Sequence, residues 1–232
     1  MSRTPVLDPA AAYALWADSY PPHAHNPLMM AEERAMLTLL PRQLRGLQVL
    51  DAGCGSGRYM QHALRRGAAR VLGVDLSLPM LQRAQSELER DWPTRRFALQ
   101  QGSLDALPLD AGVADITVSA LVIGHLSRLQ PTLAELARVT RVGGIVLCSD
   151  VHPVGATLGW ERGFKAHGRR YAVRHTIHSN SQWRAACDAV GLMIEVQAEP
   201  MLDPADIPQG ARFDPAALQL PVALVLRMRR VA

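Results

Sequence analysis

Gln48-Val49-Leu50-Asp51-Ala52-Gly53-Cys54-Gly55-Ser56-Gly57-Arg58-Tyr59 reads as a short buried strand, a glycine-rich turn and the start of a helix. Gln48 to Leu50 supply the strand, and Arg58 to Arg66 can supply the helix. Gly53, Gly55 and Gly57 allow positive φ and leave no Cβ in the way of a ligand. Free N–H groups at a helix start then face whatever the turn admits. Taken alone, such a turn is also an ordinary strand-to-helix connection. The next strand decides between the two. Arg70-Val71-Leu72-Gly73-Val74-Asp75 ends in a carboxylate about 20 residues past the turn, where an α/β fold brings the second strand's end beside the first. A carboxylate there can accept hydrogen bonds from both ribose hydroxyls of an adenosine. Asp75 also suits a helix N-cap, with Ser77 as the alternative cap before Leu78-Pro79-Met80-Leu81, and the two roles are compatible.

Leu50-Asp51-Ala52-Gly53-Cys54-Gly55-Ser56-Gly57, followed by Gly73-Val74-Asp75-Leu76-Ser77-Leu78-Pro79-Met80-Leu81, resembles the class I S-adenosylmethionine-dependent methyltransferases. The closest group holds the quinone C-methyltransferases and the biotin-pathway malonyl-carrier methyltransferases. Spacing Gly53-x-Gly55-x-Gly57, with Asp51 closing the strand, departs from the G-x-G-x-x-G of dinucleotide-binding domains and disfavours an NAD-dependent oxidoreductase. Gly102-Ser103-Leu104-Asp105-Ala106-Leu107-Pro108-Leu109 resembles the family's adenine loop, with Ser103 where the family often has an aspartate. A serine hydroxyl can still accept a hydrogen bond, and the Leu104 N–H can donate to a ring nitrogen. His125-Leu126, Glu135-x-x-Arg138-Val139 and Val142-Gly143-Gly144 resemble further family signatures, with Val142 replacing a proline. Tyr13-x-x-Trp16-Ala17-x-x-Tyr20 resembles the family's N-terminal lid, in which Tyr20 would approach the methionine end of the cofactor; the same aromatics also form one apolar face at helical spacing.

The resemblance covers nearly the whole chain. It implies S-adenosyl-L-methionine as cofactor and S-adenosyl-L-homocysteine as product. The cofactor-binding residues it implies are Tyr20, Asp51, Ala52, Gly53, Cys54, Gly55, Gly57, Asp75, Leu76, Met80, Ser103, Leu104 and Ala120. The expected fold is α/β, a single Rossmann-like domain over 1–232 with a seven-stranded sheet, strands 1–5 parallel and a hairpin at strands 6–7. Its parts are an N-terminal helical lid (1–41), a cofactor-binding core (42–150), a substrate-lid insertion after strand 5 (151–180), and a C-terminal helix and strand hairpin (181–232). Within the insertion, Tyr171, Val173 and His175 alternate with Ala172, Arg174 and Thr176, which reads as an added strand. Residues 200–216, rich in Pro and Asp, read as a loop beside the active edge. Glu135 and Arg138 fall on one helix face, as a structural ion pair.

Bulk properties narrow the partners. At 232 residues, one domain with a sizeable core is expected. The net charge of +4 is scattered, nearly all of it arginine, with Lys165 the only lysine. Without a basic block interleaved with aromatics, nucleic acid is not the expected partner. Cys54, Cys148 and Cys187 have no disulfide or metal spacing and suit a reducing cytoplasm. No signal segment and no bilayer-length apolar run appear, so no membrane partner is expected. His175-x-x-His178 lacks an obvious third ligand, so no metal is expected. The expected partners are a small-molecule substrate, free or held on a carrier protein, with the chain a monomer or homodimer.

A sulfonium-borne methyl is already activated, so the protein's work is alignment and exclusion of water. A general base is needed only if the acceptor holds a proton at the reacting atom. His125 and His152 are the candidate catalytic residues, with His175 and His178 as further candidate bases. Arg162, Arg169, Arg170 and Arg174 crowd the insertion. They read either as a solvated basic face or as an anchor for an anionic acceptor, Arg174 foremost, with His175 and His178 as further substrate contacts. The expected function is methyl transfer to a small-molecule oxygen or carbon, the acceptor anionic or carrier-bound. The alternative is a catalytically silent S-adenosylmethionine-binding sensor or partner subunit.

Overall fold

In the computed structural model, residues 4–208 and 215–231 are described. Val6–Leu7 (β1), Pro9–Trp16 (α1) and Pro27–Leu39 (α2) precede the glycine turn's strand, Gln48–Ala52 (β2). Then follow Arg58–Arg65 (α3), Arg70–Asp75 (β3), Leu78–Glu89 (α4), Phe97–Gln101 (β4), Ala114–Ala120 (β5) and Leu129–Val139 (α5). Thr140–Val151 (β6), Val154–Thr157 (α6), Arg162–Ala166 (β7), Arg169–Val173 (β8), Asn180–Ala189 (α7), Leu192–Ala198 (β9) and Ala223–Arg230 (β10) complete the chain. Side-chain caps start three of the helices: Asp8 accepts from Ala10 N, Asn26 from Met29 N, and Ser179 forms a capping box with Gln182, whereas Ser77 stands at the N-cap of α4 without a side-chain cap bond.

The main sheet has the order β4-β3-β2-β5-β6-β10-β9. Its first five strands are parallel, and β10 runs antiparallel to both neighbours. Parallel strands must be covered on both faces, and the apolar runs allow it. One face packs Leu50, Val74 and Val146 against Leu133 and Leu136 of α5 and Trp183 of α7. The other packs Val49, Val71 and Ile116 against Met36 of α2 and Met60 and Leu64 of α3. From β2 the chain winds outward to β3 and β4, then returns to β5 on the other side. The carboxyl ends of β2 and β5 therefore flank a crevice at the point where strand order reverses, the place where open α/β sheets bind ligands. Among the described residues, no helix is long and apolar enough to cross a membrane.

A second sheet, β1-β8-β7, differs from what the sequence suggests. The single added strand expected around 171–176 is a hairpin that begins earlier, and the two-residue β1 pairs parallel with β8. His167 (φ 48°) and Gly168 (φ 73°) make the hairpin turn, both in the positive-φ region such two-residue turns require. Phe164, Ala166 and Val173 of this sheet close over Ala12 of α1, and the Trp16 ring stacks on Phe164 at 4.7 Å. The N-terminal helix and the insertion are thus packed together rather than being separate flaps. Of the loop expected over 200–216, residues 209–214 lie outside the described residues.

Candidate functional site

The glycine turn folds back on β3, with Gly53 N and Cys54 N both donating to the Val74 carbonyl at 2.7 and 3.0 Å. This brings Gly55 N to Asp75 Oδ2 at 2.8 Å, while Ser77 N donates to Oδ1 at 2.8 Å. Two backbone donors therefore fix the carboxylate, and its remaining lone pairs are left for a diol. Burial pushes the Asp75 carboxyl up, and the Ser77 and Gly55 N–H groups oppose that. Asp75 lies in the wall of a cavity of about 280 Å³, together with Tyr20, Gly53, Leu76, Ser103, Leu104 and Ala120. A smaller cavity, lined by Asp51, Cys54 and Arg58, shares Tyr20, Gly53 and Ala120 with it. Asp51 Oδ2 is buried there with no hydrogen-bond partner among the described residues. Burial pushes the Asp51 carboxyl up to about 7, against the pull of Arg58.

These features fit S-adenosylmethionine. A fixed carboxylate stands at one end for a ribose, and an orphaned buried acceptor stands at the other for an ammonium. Between them Gly53 brings bare backbone to the wall. At the adenine end, the Ser103 hydroxyl donates to Asp105 Oδ1, which leaves its oxygen able to accept. The expected Glu135–Arg138 pair forms, and it also clamps this loop. Glu135 Oε2 accepts from Leu107 N at 2.8 Å, and Arg138 donates to the Leu107 and Leu109 carbonyls at 3.0 and 2.8 Å.

Four of the residues that the resemblance assigns to the cofactor line neither cavity. Ala52 is buried in β2, and Met80 is buried in the core at 1% exposure. Gly55 acts through its N–H on Asp75. Gly57, at φ 84°, is the N-cap of α3 and lies over Ala84 and Leu88. An Asp75→Ala variant should bind S-adenosylhomocysteine about 1–3 kcal/mol more weakly, the loss of charge-assisted hydrogen bonds. Titration calorimetry on the folded variant checks this, and unchanged affinity would remove Asp75 from the site.

The histidines separate clearly. His125 lines the larger cavity, but both ring nitrogens are engaged, Nε2 with the Tyr13 hydroxyl at 2.9 Å and Nδ1 with the Arg174 carbonyl at 3.2 Å. Burial, helped by the Arg162 charge, pushes its pKa down to about 3, so the ring is neutral. Its Nδ1–H donates to the carbonyl, and its one lone pair is taken by the Tyr13 O–H. His152 lines neither cavity; its Nδ1 accepts from Val154 N. His178 bonds to the Leu126 carbonyl at 3.3 Å and lines neither cavity. His175 pairs with Asp150 at 3.0 Å.

Arg174, the foremost candidate anchor, also lies elsewhere. Its side chain is 71% exposed and pairs with Asp8 at 3.6 Å. The arginine of the insertion that enters the cavity is Arg162, whose guanidinium donates to the Leu121 carbonyl at 2.5 Å. Leu121 itself sits at φ 55°, a strained position for a leucine at the end of β5. Tyr13, which the sequence offers only as part of the lid pattern, lines the cavity, and so do Leu121 and Val122, which carry no signal in the sequence.

A family described as "Methyltransferase domain" matches residues 50–148. Malonyl-[acyl-carrier protein] O-methyltransferase of Salmonella typhimurium is 37% identical over 182 residues, which is 76% of this chain and 68% of that protein. The protein of the same name from Yersinia pestis is 37% identical over 142 residues, 61% of this chain and 49% of that one. Among solved structures, an S-adenosylmethionine-dependent methyltransferase from Mesorhizobium loti superposes with a TM-score of 0.69 at 25% identity. That match covers 86% of this chain and 98% of the other.

Proposed function

The chain belongs to the class I S-adenosylmethionine-dependent methyltransferases, and from that premise we propose that its acceptor is a carboxylate, converted to a methyl ester. The observation that carries this reading is the pairing of Arg162 with His125 in one cavity wall. The wall offers a cation for an anion, and its histidine is neutral with its lone pair already taken. A carboxylate oxygen needs no base, whereas a phenol or a carbon acid does. Support also comes from the activity named for the relatives, O-methylation of a malonyl group held on a carrier.

In this reading each residue has a defined task. S-adenosylmethionine, when bound, supplies a methyl group on a sulfonium. Asp75 takes the ribose hydroxyls, and Ser103 with the Leu104 N–H takes the adenine edge. Asp51 takes the ammonium of the methionine end, beside Tyr20. The ammonium stabilises the ionised form of Asp51, so its pKa falls below about 7 on binding. Arg162 holds the acceptor's charge, and the packed lid and insertion keep water from the reacting atoms.

The test is product analysis with a pH profile. Incubation with S-adenosylmethionine and carboxylic acids should give an alkali-labile methyl ester by mass spectrometry. At saturating cofactor, kcat should show no pKa in the histidine range near 6.5. Methyl transfer to a phenol or carbon, with a rate that falls through that range as pH drops, would overturn the ester reading. Binding without consumption of the methyl donor would favour a silent binder.

A further inference from the structure

A second cavity, of about 260 Å³, adjoins the first and shares Tyr20, Leu121 and Arg162 with it. The rest of its wall is mostly apolar and includes Trp16, Leu28, Met29, Val151, Trp160 and Ile177. None of these is assigned a part in holding the cofactor. Its size is just under the range of about 300–1,000 Å³ typical of sites for drug-sized ligands, which suits a smaller body.

The aromatic walls are held in place from outside. Trp16 stacks on Phe164 at 4.7 Å with 14° between the planes, and meets Tyr20 edge-on at 4.8 Å. Trp160 lies against Gly155, where an added Cβ would come within 2.6 Å of its ring, and Ile177 packs at the same place. Their rotamers are therefore set before any ligand arrives. The polar groups are unevenly matched. His175 is already paired with Asp150. The Asn26 side chain is used in capping α2. Glu161 is an exposed residue at the rim. The Arg162 side chain makes one hydrogen bond with a described residue, to the Leu121 carbonyl, and no ion pair with one. Its charge stands where the two cavities meet.

We propose that this second cavity is the acceptor subsite and that it takes the apolar body of a small free carboxylic acid, aromatic or branched. The carboxylate then sits on Arg162 at the junction with the cofactor cavity. The inference rests on the ester reading and goes beyond it by choosing a free apolar acid over a short polar acyl group on a carrier. A malonyl-type chain has too little apolar surface to fill the cage. The balance of the reaction is simple. A carboxylate oxygen forms a bond to the methyl carbon, and the carbon–sulfur bond breaks with its electron pair passing to sulfur. The sulfonium and carboxylate charges both vanish, and no proton moves. The neutral ester can no longer pair with Arg162, which favours its release over that of the acid.

Calorimetry on the protein saturated with S-adenosylhomocysteine tests this with three probes: phenylacetate, its neutral amide phenylacetamide, and monoethyl malonate. Phenylacetate should bind at least about tenfold more tightly than either of the others, as expected for a charge-assisted contact plus a buried ring. In Arg162→Gln the ratio of acid to amide affinity should fall to near one, while Arg162→Lys should keep part of it. Trp160→Ala, which lines only the second cavity, should weaken phenylacetate about tenfold and leave S-adenosylhomocysteine binding unchanged. Monoethyl malonate binding as tightly as phenylacetate, or an acid-to-amide ratio indifferent to Arg162, would overturn the proposal. Failure of S-adenosylhomocysteine itself to bind would instead strike at the cofactor reading, so the two failures are distinguishable.

Discussion

Glu32→Ala should lower the unfolding free energy by about 3–5 kcal/mol, the cost of breaking a buried charge pair from one side. Glu32 lies on α2 with no exposed surface, yet it is the hub of a polar network. Its Oε1 accepts from the Tyr59 hydroxyl at 2.9 Å and from Ser149 Oγ at 2.6 Å, and its Oε2 accepts from Arg58 at 3.0 Å. One side chain thus ties α2 to α3 and to β6. Alanine would leave two buried hydroxyls without their acceptor, and Arg58 with only Glu33, at 2.9 Å. Because Arg58 lines the smaller cavity beside Asp51, S-adenosylhomocysteine affinity should fall too. Glu32→Gln keeps the shape and one acceptor, so its cost should be well below that of alanine. Urea unfolding of both variants checks this. A loss under about 1 kcal/mol for alanine would mean that the network is not what holds α2 to the sheet.

What the sequence revealed was local, and what it concealed depended on distant partners. The glycine turn was legible because positive φ is a property of single residues, and Gly53, Gly55 and Gly57 indeed sit at 79°, 51° and 84°. Asp75 was legible because one βα unit brings it to the turn. Glu32 was not, since nothing in Ala31-Glu32-Glu33-Arg34 announces a partner 117 residues away on β6. Arg174 and Arg162 are a subtler case. Both belong to one basic run, and only strand register tells them apart. Reading the strand over 171–176 made Arg174 a plausible wall residue. The hairpin instead turns at His167-Gly168, so β7 begins at Arg162 and β8 ends at Val173. Period-two alternation then puts Arg162 on the same side of β7 as Phe164 and Ala166, which are buried, while Arg174 follows the last paired residue and faces solvent. The His-Gly pair was the available signal for that register.

Gly53→Val should reduce S-adenosylhomocysteine affinity at least about 100-fold, or ~2.8 kcal/mol. Two effects act on the same atom. At φ 79° a β-branched residue is strained, at a cost of about 1–3 kcal/mol. In addition, a Cβ at this position would lie 2.7 Å from both methyl carbons of Val122, so the loop following β5 would have to move. That loop carries Leu121, whose carbonyl holds Arg162, and His125. The backbone on the other side is pinned as well, because Gly53 N donates to the Val74 carbonyl. Crowding therefore displaces either the wall that meets the cofactor or the turn that presents Gly55 N to Asp75. Gly46 supplies the control. It has nearly the same φ, 78°, but nothing lies within 4 Å of an added Cβ. Gly46→Val should lose stability through strain alone and keep cofactor affinity within about threefold, less than 1 kcal/mol. Gly53→Ala should fall between, since it has the close Cβ but less strain and bulk. If the two valine variants lose affinity alike, backbone strain rather than crowding of the cavity wall is the cause, and the structural role given to Gly53 is wrong.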